Sequence, residues 1–120
     1  MYTYYFERLD VWQNARKLTK KIYILTRDFP VEEKYGLTDQ IRRATFSISL
    51  NISEGMARRT SKDKGHFINN AYSSSWEVIN CLILANDLEY ADDDSYIALR
   101  NDLEKITNQL NALYNKITKK

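Results

Sequence analysis

The amino-acid sequence predicts an all-α fold, a single antiparallel four-helix bundle, and three observations carry that expectation. Apolar side chains recur at spacings of four and three along four separate stretches, the period of one helix face. No stretch alternates apolar and polar residues over the length a strand needs. Glycine (3) and proline (1) are scarce in 120 residues, whereas hairpins call for turn formers repeatedly.

The first helix presents Val11, Ala15, Leu18, Ile22 and Leu25 on one face. It starts near Asp10 and stops before Pro30, which disfavours helical geometry at Phe29. The second presents Leu37, Ile41, Ala44 and Ile48, and Asn51 and Gly55 continue its register, with Gly36 weakening its start. Thr60 or Ser61 caps the third, and Asp63 sits in its first turn, where the positive helix end favours a carboxylate. Its seam is Phe67, Ala71, Ser74, Val78, Cys81, Ala85 and Leu88, a helix of about 28 residues and ~40 Å at 1.5 Å per residue. Asp92-Asp93-Asp94-Ser95 supplies the cap and first-turn acids of the fourth, whose seam is Leu99, Leu103, Ile106, Leu110, Leu113 and Ile117. Short connections between long helices force antiparallel neighbours. The expected topology is therefore up-down-up-down, with residues 1–120 as one domain.

Hydrophobic residues at 43% and charged residues at 28% suffice for a core that needs neither disulfide nor metal. The lone cysteine, Cys81, excludes an internal disulfide and a cysteine-based zinc site within one chain. With no apolar leader after Met1, this predicts a cytoplasmic location. No run approaches the roughly 18 apolar residues that span a bilayer, so no membrane role is expected.

Catalytic constellations are missing from the sequence. Di-iron bundles need two Glu-x-x-His pairs, but the one histidine, His66, has only Asp63 three residues before it. Cys81 lies on a seam beside Val78, Leu82 and Ala85, roughly 20 Å from His66 along the same helix. Three glycines cannot build a phosphate-cradling loop. The expectation is a non-enzyme with no catalytic, cofactor or metal site.

Two polar stripes stand out. Arg43, Ser47, Asn51, Glu54 and Arg58 follow one another at helical spacing on the second helix. His66, Asn70, Ser73, Glu77 and Asn80 do the same on the third. Such stripes can join in a structural or assembly network, with Asn51 fixing register from a core position. The competing reading is a solvated face with Glu54–Arg58 as an ordinary i,i+4 pair.

Net charge is only +2, but its distribution is uneven. Residues 1–60 hold 11 Lys and Arg against 7 Asp and Glu; residues 61–120 hold 7 against 9. Two basic groups, Arg16, Lys17, Lys20 and Lys21 on the first helix and Arg58, Arg59, Lys62 and Lys64 around the second connection, are candidates for phosphate contact. An aromatic arm, Tyr2, Tyr4, Tyr5 and Phe6 with Trp12, is a candidate protein interface, the alternative being that it closes one end of the bundle.

Phe6-Glu7-x-Leu9-x-Val11-Trp12, Phe29-Pro30-x-x-Glu33-x-Tyr35-Gly36-Leu37-x-x-Gln40, Arg42-Arg43-Ala44, Ser47-Ile48-x-x-Asn51-Ile52-x-Glu54-Gly55-x-x-Arg58 and the run from Phe67 to Glu77 carry a resemblance. The chain resembles the bacterial four-helix-bundle family named after proteins encoded in intervening sequences of large-subunit ribosomal RNA genes. Ser53 and Ser73 depart from the alanine and glycine usual there. The resemblance implies a ring-shaped homopentamer and a relation to the accessory variability determinant protein of diversity-generating retroelements, a basic pentamer that binds nucleic acid. The expected function is a non-enzymatic oligomeric adaptor binding RNA or DNA; the alternative is a protein–protein scaffold with no nucleic-acid role.

Overall fold

The computed structural model describes residues 1–119. Four helices make up the body: α1 (Asp10–Thr26), α2 (Leu37–Ala57), α3 (Ser61–Asp87) and α4 (Asp93–Thr118). Single 3-10 turns at Tyr5–Arg8 and Val31–Glu33 precede α1 and α2, and no strand forms among the described residues. The four-helix expectation holds, with boundaries close to those read from the sequence.

Each boundary has a local cause. α1 ends where Phe29 N–H turns back to the Thr26 carbonyl and Pro30 follows. At the start of α2 the Glu33 carboxylate accepts the Leu37 N–H at 3.2 Å, replacing a cap that Gly36 cannot supply. Thr60 Oγ1 caps α3 by accepting the Asp63 N–H at 3.1 Å. Asp92 caps α4 through the Ser95 N–H at 2.7 Å. α3 closes in a Schellman motif: Glu89 takes φ 64°, and the Tyr90 N–H reaches the Ala85 carbonyl at 2.9 Å.

Pairings across the bundle establish the antiparallel order. Asn14 bonds Gln109 at 2.9 Å and Lys21 pairs with Asp102 at 2.8 Å, so α1 and α4 run in opposite directions. Arg42 of α2 donates to Thr26 Oγ1 of α1 at 2.8 Å, and Lys64 of α3 donates to the Met56 carbonyl of α2 at 3.2 Å. Along the shared centre lie Ile22, Ile41, Ile48, Ile52, Ile68, Val78, Leu82, Leu103, Ile106 and Leu110, all withdrawn from water. A second small cluster of Phe29, Ala85 and Ala91 seals the end that holds the α1–α2 and α3–α4 connections. Tyr90 covers it, and its hydroxyl donates to Glu33 Oε2 at 3.2 Å.

Burial on α3 extends beyond the expected seam. Ile68, Ser75 and Leu82 are buried beside Ala71, Ser74, Val78, Cys81 and Ala85, because α2 covers one flank of this helix and α4 the other. Leu88, placed on the seam by spacing, is the C-cap of α3 and lies exposed; Phe67 is half-buried.

Candidate nucleic-acid interface

Antiparallel folding gathers acids from both halves of the chain at one end of a 45 Å axis. The end formed by the α1–α2 and α3–α4 connections carries Asp28, Glu32, Glu33, Asp39, Asp87, Glu89, Asp92, Asp93 and Asp94, against Arg27 and Lys34 and, one turn further in, Arg42 on Thr26 and Arg43 on Asp39. The opposite end carries Arg8, Arg58, Arg59, Lys62, Lys64, Lys116 and Lys119, against Glu7, Asp10, Glu54 and Asp63. Between them, the outer face of α1 displays Arg16, Lys17, Lys20 and Lys21.

Local contacts sort these cations. Lys21 pairs with Asp102, and Lys64, half-buried, is spent on the Met56 carbonyl at the C-terminus of α2. The Arg16 guanidinium lies 5.5 Å from the Trp12 ring centre and that of Arg58 lies 4.4 Å from Phe67. Stacking holds these two groups in place while their N–H edges stay free to donate. Lys17, Lys20, Arg59 and Lys62 are exposed and make no side-chain hydrogen bond or ion pair among the described residues. Lys105 of α4, not singled out by the sequence, joins Lys17 and Lys21 around Asp102 in a cavity of about 70 Å³. Its i−4 neighbour on α4, Asn101, carries no charge, so a reading by runs passes over it.

The polar stripes lie on the neighbouring helices α2 and α3, and Gln40 Nε2 donates to Glu77 Oε2 at 3.3 Å between those helices. Ser47 and Asn51 are half-buried; Arg43, Glu54, Arg58, His66, Asn70, Ser73, Glu77 and Asn80 are exposed. Asn51 satisfies itself on its own helix, its Nδ2 donating to the Ser47 carbonyl at 2.8 Å. Arg43 bonds Asp39 one turn back at 3.0 Å. No Glu54–Arg58 ion pair forms among the described residues, since Arg58 has left the helix with extended backbone (φ −74°, ψ 157°) and turned toward Phe67. Within one chain the stripes therefore stay largely separate, and their outward groups remain available to water or to a second copy.

The aromatic arm is ordered by its own contacts. Glu7 accepts the Tyr4 N–H at 2.7 Å, the Gln13 amide donates to the Glu7 carbonyl at 2.8 Å, and rings succeed one another from Tyr2 to Tyr4, Phe6 and Trp12 at 5.0, 6.4 and 5.0 Å. The arm packs on the last turns of α2 and leaves a cavity of about 580 Å³ there.

Cys81 is 3% exposed, and burial first, then the nearby Glu77 carboxylate, push its thiol above the ordinary range. That disfavours the thiolate a nucleophile needs. Among the described residues, no three His, Cys, Asp or Glu side chains gather closely enough to hold a metal ion. No helix is long and apolar enough to cross a membrane.

Fold and surface together define a small helical-bundle protein with segregated charge. The 23S rRNA-intervening sequence protein family matches residues 7–112, and the chain belongs to that family. It is similar to a crystal structure of a protein of unknown function, described as from the S23 ribosomal protein family of Bacteroides thetaiotaomicron. That likeness has a TM-score of 0.81 at 23% identity, over 87% of this chain and 97% of the other, and it shows the shared fold. No curated protein matches the chain.

Proposed function

We propose that this protein is a non-enzymatic nucleic-acid-binding adaptor of the cytoplasm that works as a homo-oligomer, in the form of a pentamer. The observation that carries this reading is the separation of charge along the bundle. Polyanions are repelled from the acidic end and drawn to the basic end and the α1 face. Exposed Phe46 and Leu50 on α2 and Trp76 and Leu84 on α3 support self-assembly, because a lone bundle leaves them in water. Trp76 is 60% exposed, a large apolar surface to leave uncovered.

Binding of a structured RNA across a salt series tests the reading, together with solution mass by light scattering. The expected result is a steep fall of affinity with salt, and a shallower slope when Lys17, Lys20, Arg59 and Lys62 are changed together to alanine. A protein-only scaffold is the competing reading, favoured by the same exposed Trp76 and Phe46. It requires an oligomer that ignores RNA even at low salt, and that outcome would overturn the proposal.

A further inference from the structure

Resting on the nucleic-acid reading above, we infer that the cavity between the aromatic arm and the end of α2 seats unpaired nucleobases, which makes the ligand single-stranded RNA or DNA. Tyr2, Tyr4, Tyr5 and Phe6 form one wall, and Glu54 and Met56 belong to the other. The cavity, about 580 Å³, is of the size that admits small planar ligands. Tyr2, Tyr4 and Tyr5 are 74%, 61% and 55% exposed; Tyr4 has one face on Phe6, and no Lys or Arg lies over any of the three rings among the described residues, which leaves ring surface for stacking. Every base has a π-face, and stacking on aromatic side chains is how unpaired strands are held without sequence reading. Bases inside a duplex cannot reach such a wall.

Surroundings supply the backbone contacts. The ring series Tyr2, Tyr4, Phe6, Trp12 ends beneath the Arg16 guanidinium, the first cation of the α1 face. On the other side, Arg58 and Arg59 follow the end of α2, four and five residues after Glu54 in the chain. A strand with its bases on the tyrosines therefore has phosphate partners in both directions. Glu54 makes no ion pair among the described residues, and an ionised carboxylate only accepts hydrogen bonds. It favours a base that offers an exocyclic amine, such as cytosine, over uracil, whose pairing edge has two carbonyl oxygens around one N–H.

The test uses the full chain and fluorescence anisotropy with labelled RNA: oligo(C) and oligo(U) single strands of about 12 nucleotides, and a duplex of the same length. Single strands are expected to bind more tightly than the duplex, and oligo(C) more tightly than oligo(U). Replacing Tyr2, Tyr4 and Tyr5 with leucine keeps apolar surface and charge but removes the rings. Affinity for single strands should then fall on the order of tenfold or more, with duplex affinity and the salt slope unchanged. Glu54→Gln should narrow the gap between oligo(C) and oligo(U). Circular dichroism confirms folding, since none of the three tyrosines lies in the core. Leucine variants that bind single strands like the parent overturn the inference, as does a duplex bound equally well; both leave the broader nucleic-acid reading standing. Absence of all RNA binding at low salt removes both. Capture of an oligo-arginine peptide in place of either strand assigns the pocket to a cationic protein partner and also refutes the inference.

Discussion

Gly55 and Gly65 lie on opposite sides of the α2–α3 turn, and alanine should destabilise at the first but not at the second. Within a helix, alanine is favoured over glycine by about 1 kcal/mol. At Gly55 an added Cβ would stand 2.9 Å from Phe67 Cβ and 3.4 Å from the Lys64 carbonyl oxygen. Both atoms are fixed to the backbone of α3, so restoring ordinary carbon contact at about 3.5–4.0 Å forces the helices apart. Overpacking of this kind costs ~1–3 kcal/mol, which leaves Gly55→Ala destabilising by about 1 kcal/mol net. At Gly65 the closest atom, 2.8 Å away, is Thr118 Cγ2, the tip of a side chain in the last turn of α4. That tip can move, so Gly65→Ala should be neutral or stabilising by up to ~1 kcal/mol. For a domain of this size, 1 kcal/mol corresponds to about 4 °C in Tm. Thermal and urea unfolding followed by circular dichroism, at one protein concentration because assembly would shift the midpoint, reads both effects. A Gly55→Ala protein as stable as Gly65→Ala would refute the claim that backbone contact brings α2 and α3 together here.

Further expectations follow from the caps and the buried thiol. Thr60→Ala, which removes the oxygen bound to the Asp63 N–H, should cost about 1 kcal/mol in urea unfolding. Glu89→Gly relieves a left-handed residue at the end of α3 and should stabilise by about 1 kcal/mol; an unchanged urea midpoint would contradict the strain. The Asp92 carboxyl is held below its usual range, chiefly by the backbone N–H of Ser95. Its contribution is therefore complete above the unfolded carboxyl pKa, near 3.9, and disappears as pH falls through the lower folded value. The stability gap between the parent and Asp92→Asn should accordingly shrink on acidification; a gap independent of pH would be contrary to the capping assignment. Cys81 should resist thiol reagents at neutral pH until the protein is unfolded, and rapid labelling of the native chain would contradict its burial.

Much of the fold was legible because each boundary had its own chemical mark. Pro30, Thr60 and Asp92 placed helix ends without reference to anything distant. The core was legible only in part. A four-three seam describes a narrow contact stripe, whereas α3 packs extensively on both α2 and α4, and its buried face widens to take in Ile68, Ser75 and Leu82. Asn51 shows the limit of register: spacing places it on the core seam, but it lies half-buried, and a short polar side chain can turn back to the carbonyl four residues before it, a partner the sequence does not specify. The basic clusters were visible as runs, yet the loss of Lys64 to the Met56 carbonyl and the arrival of Lys105 beside Lys17 depend on helix pairing. Acids at Asp28–Glu33 and Asp87–Asp94 read separately as loop and cap residues. Only the turning of the chain puts them on one end.

With a polyanion as the proposed ligand, that acidic end would also govern encounter rates. A polyanion approaching at low ionic strength exerts a torque on a bundle 45 Å long with opposite charges at its two ends, and turns it basic end first before any contact exists. Residues such as Asp93 and Glu89 would then hasten productive collisions with a ligand they never touch. Neutralising them should slow association while leaving dissociation unchanged, the reverse of what is usual for interface residues.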